Sequence, residues 1–137
     1  MRADNGKFVC RQTVEFEDNE GEDEEDIIET IQASKLTPDA SCFFNVERWP
    51  GNTILLKADN GKFLCREDHE EDFHPIEAFR SEPDASCRFK ILKQSDGTVA
   101  LQSDNGKYLC RAFLYDIDLI NANKDTIDAS CKFTGLF

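Results

Sequence analysis

The chain has 137 residues, 32% of them charged, and a net charge of −12. Its length suits one domain with a single hydrophobic core. Nucleic-acid binding draws its affinity from clustered Lys and Arg, so the negative charge argues against a nucleic-acid partner. No segment approaches the ~18 uninterrupted apolar residues of a membrane span, and the opening Met-Arg-Ala-Asp-Asn-Gly contains no apolar signal region. We therefore expect a soluble, cytoplasmic protein.

A four-residue motif, Asp-Asn-Gly-Lys, occurs three times. It begins at Asp4, Asp59 and Asp104, and an aromatic residue, an apolar residue, Cys and Arg follow it each time. Asn-Gly between apolar runs is a strong signal for a β-hairpin with a type I′ turn, in which both central residues have positive φ. The predicted hairpin arms are 53–58 with 63–66 and 98–103 with 108–111.

A second block follows in each copy: Ile-x-Ala, five residues, and then Asp-Ala-Ser-Cys-x-Phe. It covers residues 31–44, 76–89 and 120–133 with the same internal spacing. We expect a third strand at Ile-x-Ala, a turn before the Asp, and a fourth strand through Cys-x-Phe. Differences in length are confined to the stretch between the two blocks, which indicates that this stretch is a loop.

Four short strands in each of three copies of about 45 residues give twelve strands. This number predicts an all-β fold, a β-trefoil, in which a barrel is closed by a cap of hairpins and few strand edges are exposed. We expect one domain with repeats of about 1–51, 52–96 and 97–137. Because only Met1, Arg2 and Ala3 precede the first motif, three alternatives are open: the barrel tolerates a short arm, a partner in a homo-oligomer supplies a strand, or the domain belongs to a longer chain.

An Arg and an Asp recur at fixed places in every copy. The Arg follows the first Cys, and the Asp lies three residues before the second Cys. We predict that the two form an ion pair within each copy and brace strand to turn, with ligand binding by an exposed Arg as the alternative. The predicted pairs are Arg11 with Asp39, Arg66 with Asp84, and Arg111 with Asp128.

Six cysteines, two per copy, lie in apolar strand contexts. In the absence of a visible signal peptide we favour buried free thiols, with disulfides inside each repeat as the alternative and metal binding as the least favoured.

No combination of residues points to catalysis. His69 and His74 are the two histidines, and neither stands in a metal-ligand spacing or beside a nucleophile in a known motif. We therefore expect no enzymatic activity, no cofactor and no metal site. The acidic run 17–26 does not fit a calcium loop, because setting the loop glycine on Gly21 places Phe16 at the first ligand position. It predicts a solvated acidic loop, with weak divalent-cation binding as the alternative.

Residues found in only one copy are not needed for three-fold packing, so we look for function among them. Sugars stack on aromatic rings while Asn, Asp and His bind their hydroxyl groups. The candidate carbohydrate-binding residues are Trp49, Asn52, His74, Tyr115 and Asp116. For Trp49 the alternative is that it plugs the barrel opening.

The two blocks resemble the agglutinin domain of the amaranthin-like plant lectins. The resemblance lies in residues 98–109, Thr-Val-Ala-Leu-Gln-Ser-Asp-Asn-Gly-Lys-Tyr-Leu, and in Ile-Asn-Ala at 120–122 leading to Asp-Ala-Ser-Cys-Lys-Phe at 128–133. It implies a β-trefoil plant lectin, or agglutinin, that recognises galactose or N-acetylgalactosamine-type glycans or the glycoproteins that carry them. In tandem members of that family the sites form between domains of two chains, and a single domain departs from that arrangement.

An alternative comes from the aromatic-Leu pair after Asn-Gly-Lys, which is similar to fascin-like trefoils that bundle actin. That resemblance implies a protein- or actin-binding module. The charge of −12 weakens this alternative because actin filaments are acidic.

Overall fold

Ten strands and three short 3₁₀ helices form the regular structure of residues 1–17, 25–69 and 73–136, which are the residues described by the computed structural model. Within these ranges, no helix has the length and apolar character to span a membrane. The strands are β1 (Phe8–Glu17), β2 (Glu25–Lys35), β3 (Asn45–Trp49), β4 (Thr53–Lys57), β5 (Phe63–Arg66), β6 (Ile76–Arg80), β7 (Phe89–Lys93), β8 (Val99–Gln102), β9 (Tyr108–Leu114) and β10 (Ile117–Lys124).

Three antiparallel hairpins, one from each copy, meet at one end of the molecule and form its cap. They are β1–β2, β5–β6 and β9–β10. The backbone pairing between hairpins is limited to single residue pairs, which are Leu119 with Gln32, Thr30 with Glu77, and Pro75 with Asn121. The remaining strands, β3, β4, β7 and β8, pair in the order β3–β4–β7–β8 and form the barrel. A barrel closed by a triplet of hairpins is a β-trefoil, which confirms the predicted all-β fold.

The barrel closes through isolated bridges where the first and twelfth strands were expected. Arg2 pairs with Thr134 through two backbone hydrogen bonds of 2.8 and 3.0 Å, and Val99 pairs with Phe133. The short first arm therefore finds its pairing partner in the same chain. Homo-oligomerisation stays a prediction.

The Asn-Gly turns differ from the predicted type. Gly6, Gly61 and Gly106 have positive φ, but the asparagines before them do not, so the turns are not type I′. Each Asn uses its side chain instead: its Oδ1 accepts a hydrogen bond from the backbone of the following Lys, and its Nδ2 donates to the Ala carbonyl of Ile-x-Ala in the same copy. The Asn thereby ties the turn to the third strand.

The Ala-Ser-Cys segments are 3₁₀ helices, so the expectation of a strand through Cys-x-Phe was wrong at its start. The helices span Ala40–Cys42, Ala85–Cys87 and Ala129–Cys131. In each, the preceding Asp is the N-cap and accepts a hydrogen bond from the Ser backbone. The Ser130 hydroxyl, which also donates to Asp128, lowers the pKa of that carboxyl to about 2.

The predicted ion pairs inside each copy were also wrong, because each Arg binds an Asp of the next copy. Two guanidinium nitrogens of the Arg meet the two carboxylate oxygens of the first residue of the next Asp-Asn-Gly-Lys motif, at 2.5–3.3 Å. The hydrogen bond from Arg11 lowers the pKa of the Asp59 carboxyl. The pairs, Arg11–Asp59, Arg66–Asp104 and Arg111–Asp4, run from copy to copy around the molecule and close on the first.

The second-block aspartates pair instead with a basic residue four positions earlier in the chain. These pairs are Lys35–Asp39, Arg80–Asp84 and Lys124–Asp128, at 3.1–3.4 Å. The physical reason is that the N-cap turn holds each Asp beside the end of its own third strand, away from the Arg.

The core is built from equivalent positions of the three copies. It contains Ile31, Ile76 and Ile120, Ala33, Ala78 and Ala122, Val9, Leu64 and Leu109, together with Phe89 and Phe133. Burying these side chains stabilises the fold by about 1.5–3 kcal/mol for each large one. All six cysteines are free and buried, which confirms the preference for buried thiols. Burial raises the pKa of the Cys110 thiol to about 11.

Arg66→Lys tests the pairing between copies. A lysine keeps the charge but loses the two-pronged contact with Asp104, so we expect the free energy of unfolding to fall by ~1–2 kcal/mol in urea denaturation. Arg80→Lys is the control, because its contacts with Glu67 and Asp84 are 3.4–3.5 Å long and its effect should stay within ~0.5 kcal/mol. Equal losses in the two variants would contradict a special role for the Arg–Asp pairs.

Candidate functional site

Two pockets are candidate sites, and the first, the mouth cleft, lies at the open end of the barrel. Its volume is about 770 Å³. Residues 48–54 join the first copy to the second and are called the first joint; residues 93–99 join the second copy to the third and are called the second joint. Equivalent positions of the two joints line the cleft: Arg48 and Lys93, Trp49 and Gln94, Asn52 and Gly97, Thr53 and Thr98, Ile54 and Val99. Ile91 and residues near Phe133 complete the wall. Trp49 and Asn52, two of the predicted site residues, therefore lie in one cleft.

Trp49 lies at the rim of the mouth cleft, and 37% of its surface is exposed. Its indole Nε1 donates to Glu47 Oε1 at 3.2 Å, and the Arg88 guanidinium lies 4.9 Å from the ring centroid. These two contacts fix the orientation of the indole. Trp49 lines the mouth cleft and does not belong to the hydrophobic core.

Asn52 has a structural role in the β3–β4 turn. Its φ is 58°, and Gly97 takes the same left-handed conformation, with φ of 87°, in the equivalent turn. Asn tolerates this conformation better than most residues. The turn alone explains an Asn at this position, and the turn also places it in the cleft.

The second candidate, the cap pocket, lies where the three hairpins meet and has a volume of about 360 Å³. Successive layers of equivalent residues from β2, β10 and the segment leading into β6 line it. The outer layer is Ile28, Phe73 and Ile117, and the next is Thr30, Pro75 and Leu119. Because all three copies contribute equivalent positions, the pocket lies on the pseudo-three-fold axis.

Aromatic rings form one side of the cap pocket. Phe73 contacts Tyr115 edge-on, with ring centroids 5.7 Å apart, and the His69 ring centroid is also 5.7 Å from that of Phe73. Tyr115 is 62% exposed. Tyr115 and Asp116 form the tight turn between β9 and β10, and their φ values are 54° and 60°. Residues other than Gly, Asn and Asp rarely adopt such values. The two-positive-φ turn predicted for Asn-Gly thus occurs here.

Glu77 lies at the inner end of the cap pocket and is only 6% exposed. His69 Nε2 lies 2.6 Å from its Oε2. Burial raises the pKa of the Glu77 carboxyl, and the contact with His69 offsets part of this effect. A buried carboxylate in a pocket is an uncommon and costly feature.

The two other predicted site residues lie beside the cap pocket without lining it. The imidazole Nδ1 of His74 contacts Asp68 Oδ1 at 2.5 Å, and its backbone N–H donates to Asn121. Asp116 is the second residue of the exposed β9–β10 turn. The five predicted residues thus fall into two groups, at the mouth and around the cap pocket.

Sequence reasoning missed Glu77, although the repeat contained the signal. The middle residue of Ile-x-Ala is Gln32, Glu77 and Asn121 in the three copies, and all three are buried. All three positions of Ile-x-Ala are buried in every copy, so a polar residue at the middle position is enclosed by the protein. Only the second copy has a charge there.

No group of three or more His, Cys, Asp or Glu side chains is placed to hold a metal ion among residues 1–17, 25–69 and 73–136. The acidic run 17–26, for which we weighed calcium, falls largely outside the described residues, so that alternative stays open.

Solved structures support the trefoil fold. Neither a protein-family model nor a curated protein matches the chain. A designed three-fold symmetric protein, ThreeFoil, is similar over 77% of this chain and 79% of its own, with a TM-score of 0.65 and 14% identity. A GlcNAcα1-4Gal-releasing endo-β-galactosidase from Clostridium perfringens matches 96% of this chain with a TM-score of 0.65 and 16% identity.

A mosquitocidal holotoxin matches 90% of the chain with a TM-score of 0.63 and 11% identity. The chain spans only 30% of the galactosidase and 16% of the toxin. At these identities the likeness shows the fold alone. The resemblance to amaranthin-like lectins stays a prediction.

The environment of Glu77 predicts an unusual titration. We expect ¹³C NMR to give its carboxyl a pKa above the ordinary value of about 4.3, and a higher one still in His69→Leu, because the offsetting contact is lost. Because folding raises the pKa of Glu77, its protonated carboxyl contributes to the free energy of unfolding below about pH 4. This contribution is lost as the pH rises through the pKa of the folded state. A pKa at or below the ordinary value would contradict the burial of this carboxyl.

Proposed function

We propose that the chain is a non-catalytic carbohydrate-binding domain and that a glycan lies in the mouth cleft against Trp49. The observation that carries this proposal is a partly exposed indole, held by contacts with Glu47 and Arg88, at the rim of a cleft lined by both polar and apolar residues. An aromatic ring beside polar groups is the arrangement that sugar recognition requires, because pyranose rings present an apolar face and a rim of hydroxyl groups.

The dimensions and polar groups of the mouth cleft suit a short saccharide. A volume of about 770 Å³ lies within the range of small-ligand sites. Asn52 offers a donor and an acceptor, and Lys93 adds a donor. The Gln94 amide donates to the Leu92 carbonyl and keeps its oxygen as an acceptor. The Thr98 hydroxyl, which donates to Asp96, can still accept a hydrogen bond. Paired donors and acceptors can bind the hydroxyl groups of a neutral sugar without requiring charge on the ligand.

The composition of the cleft supports binding without catalysis. Its lining, within the described part of the chain, contains no Asp, Glu, His or Cys. Glycoside hydrolysis typically uses a pair of carboxyl groups on either side of the bond that is cut. The mouth cleft offers no such pair.

For specificity we propose galactose or N-acetylgalactosamine-type glycans. This rests on the resemblance of residues 98–109 and 120–133 to the amaranthin-like agglutinin domain. A further indication is that one structurally similar protein is an endo-β-galactosidase that releases GlcNAcα1-4Gal, although the likeness to it is one of fold.

Three predicted sugar contacts, His74, Tyr115 and Asp116, lie away from the mouth cleft. Their role in sugar binding stays a prediction from the sequence, and the mouth-cleft proposal does not use it. Tyr115→Asn tests that prediction, because Asn accepts the positive φ of the turn while removing the ring. Reduced binding of this variant to a glycan array would support a sugar contact at Tyr115, and unchanged binding would contradict it.

A glycan array probed with the full chain tests the proposed function. We expect binding to galactose- or N-acetylgalactosamine-terminated glycans and at least a tenfold loss in Trp49→Gln, which gives the first joint the residue that the second joint has in Gln94. A ten-fold loss corresponds to about 1.4 kcal/mol, within the range of one aromatic contact.

Phe113→Ala is the matched control, since Phe113 is an exposed aromatic residue outside both pockets. Retained binding in this variant is expected. An array without any bound glycan, or equal losses in Trp49→Gln and Phe113→Ala, would overturn the proposal.

A further inference from the structure

The cap pocket differs from the mouth cleft in the chemistry of its walls. Five of its six layer residues are apolar, and Thr30 is the exception. Thr30 already donates its hydroxyl to the backbone carbonyl of Gln12 and accepts a hydrogen bond from Gln32. The walls therefore offer few polar groups to a hydroxyl-rich ligand such as a sugar.

The inner end of the pocket carries a charge that the fold does not need. Copies one and three place neutral amides, Gln32 and Asn121, where the second copy has Glu77. Packing on the axis is therefore compatible with an uncharged residue. A carboxylate in this position costs free energy unless a cation compensates it.

Compensation from the protein itself is limited. Among the described residues, His69 is the only basic side chain within ion-pair distance of Glu77, and no Lys or Arg lines the cap pocket. The net charge of −12 adds a long-range attraction for cations. An anionic ligand would meet the buried carboxylate and is disfavoured.

The aromatic residues of the cap pocket also favour a cationic ligand. The rings of His69 and Tyr115 both contact the ring of Phe73, and all three residues line the pocket. Aromatic faces attract organic ammonium groups, whose alkyl parts fit into apolar surroundings. A purely apolar ligand would make no use of the carboxylate and would deepen its desolvation.

We propose that the cap pocket is a second binding site, separate from the glycan site, and that it takes an alkylammonium group. The charged nitrogen lies toward Glu77, and its alkyl substituents pack against Phe73, Tyr115 and the apolar layers. The group can be that of a free small amine or that of a lysine side chain on a partner.

Choline and its uncharged isostere, 3,3-dimethylbutan-1-ol, test the role of charge directly. Each is titrated into the ¹⁵N-labelled full chain and followed by NMR. We expect saturable choline shifts at residues around the cap pocket and at least ten-fold weaker binding of the isostere. Saturable binding of the isostere with an affinity equal to that of choline overturns the proposal.

Two variants place the ligand. Glu77→Gln gives the second copy the residue that the first has at the same position, so we expect the fold to be retained and choline binding to weaken at least ten-fold. Phe73→Leu keeps an apolar side chain and should weaken choline binding several-fold. Trp49→Gln is the control and should bind choline unchanged. Unaltered choline binding in Glu77→Gln overturns the proposal even if the pocket is occupied.

A third arm separates the two sources of the cation. Nα-acetyl-lysine methylamide carries the side chain of a partner protein, whereas choline represents a free quaternary amine. Binding that is tighter for the lysine derivative supports a protein partner, and tighter choline binding supports a small metabolite-like amine. The failure of both compounds overturns the proposal.

Discussion

The hydrophobic core is complete only when all three copies pack together, because each contributes one Ile, one Ala and one residue of the Val or Leu layer to the same axis. A single copy cannot bury these side chains alone. The Arg–Asp pairs also hold the copies together. Each pair joins the first cap strand of one copy to the Asp-Asn-Gly-Lys turn of the next. Copies held in fixed register leave one pocket on the axis at the cap and a cleft between joints at the barrel mouth.

The fold was predictable from the sequence because the repeat shows the same packing problem solved three times. Local partners were harder to predict. Arg66 and Asp84 are close in the chain, yet Arg66 binds Asp104, and only the closed arrangement of copies brings that pair together. The asparagines of the Asn-Gly turns act through side-chain hydrogen bonds to the carbonyls of Ala33, Ala78 and Ala122. The hairpin rule did not predict these bonds, because it considers only the backbone conformation of the turn.

The candidate sites were predictable only in part. Searching for residues unique to one copy found Trp49 and Tyr115, which line the two pockets. It missed Glu77 because that residue stands inside a repeated block. The more informative comparison sets equivalent positions side by side: Trp49 against Gln94 at the mouth, and Glu77 against Gln32 and Asn121 at the cap. At both places a neutral polar residue is compatible with the fold. The aromatic ring or the charge that one copy has instead is therefore not explained by packing.

The proposed glycan site lies at the mouth, on the Trp49 indole, where the second joint has Gln94. Trp49 is the only tryptophan, so its indole N–H gives a single signal in a ¹⁵N–¹H NMR spectrum. Titration with lactose should shift that signal saturably, together with the backbone signals of Asn52 and Thr98, while the signals of Phe73 and Glu77 stay in place. A Trp49 signal that does not move while cap-pocket signals do would contradict the claim.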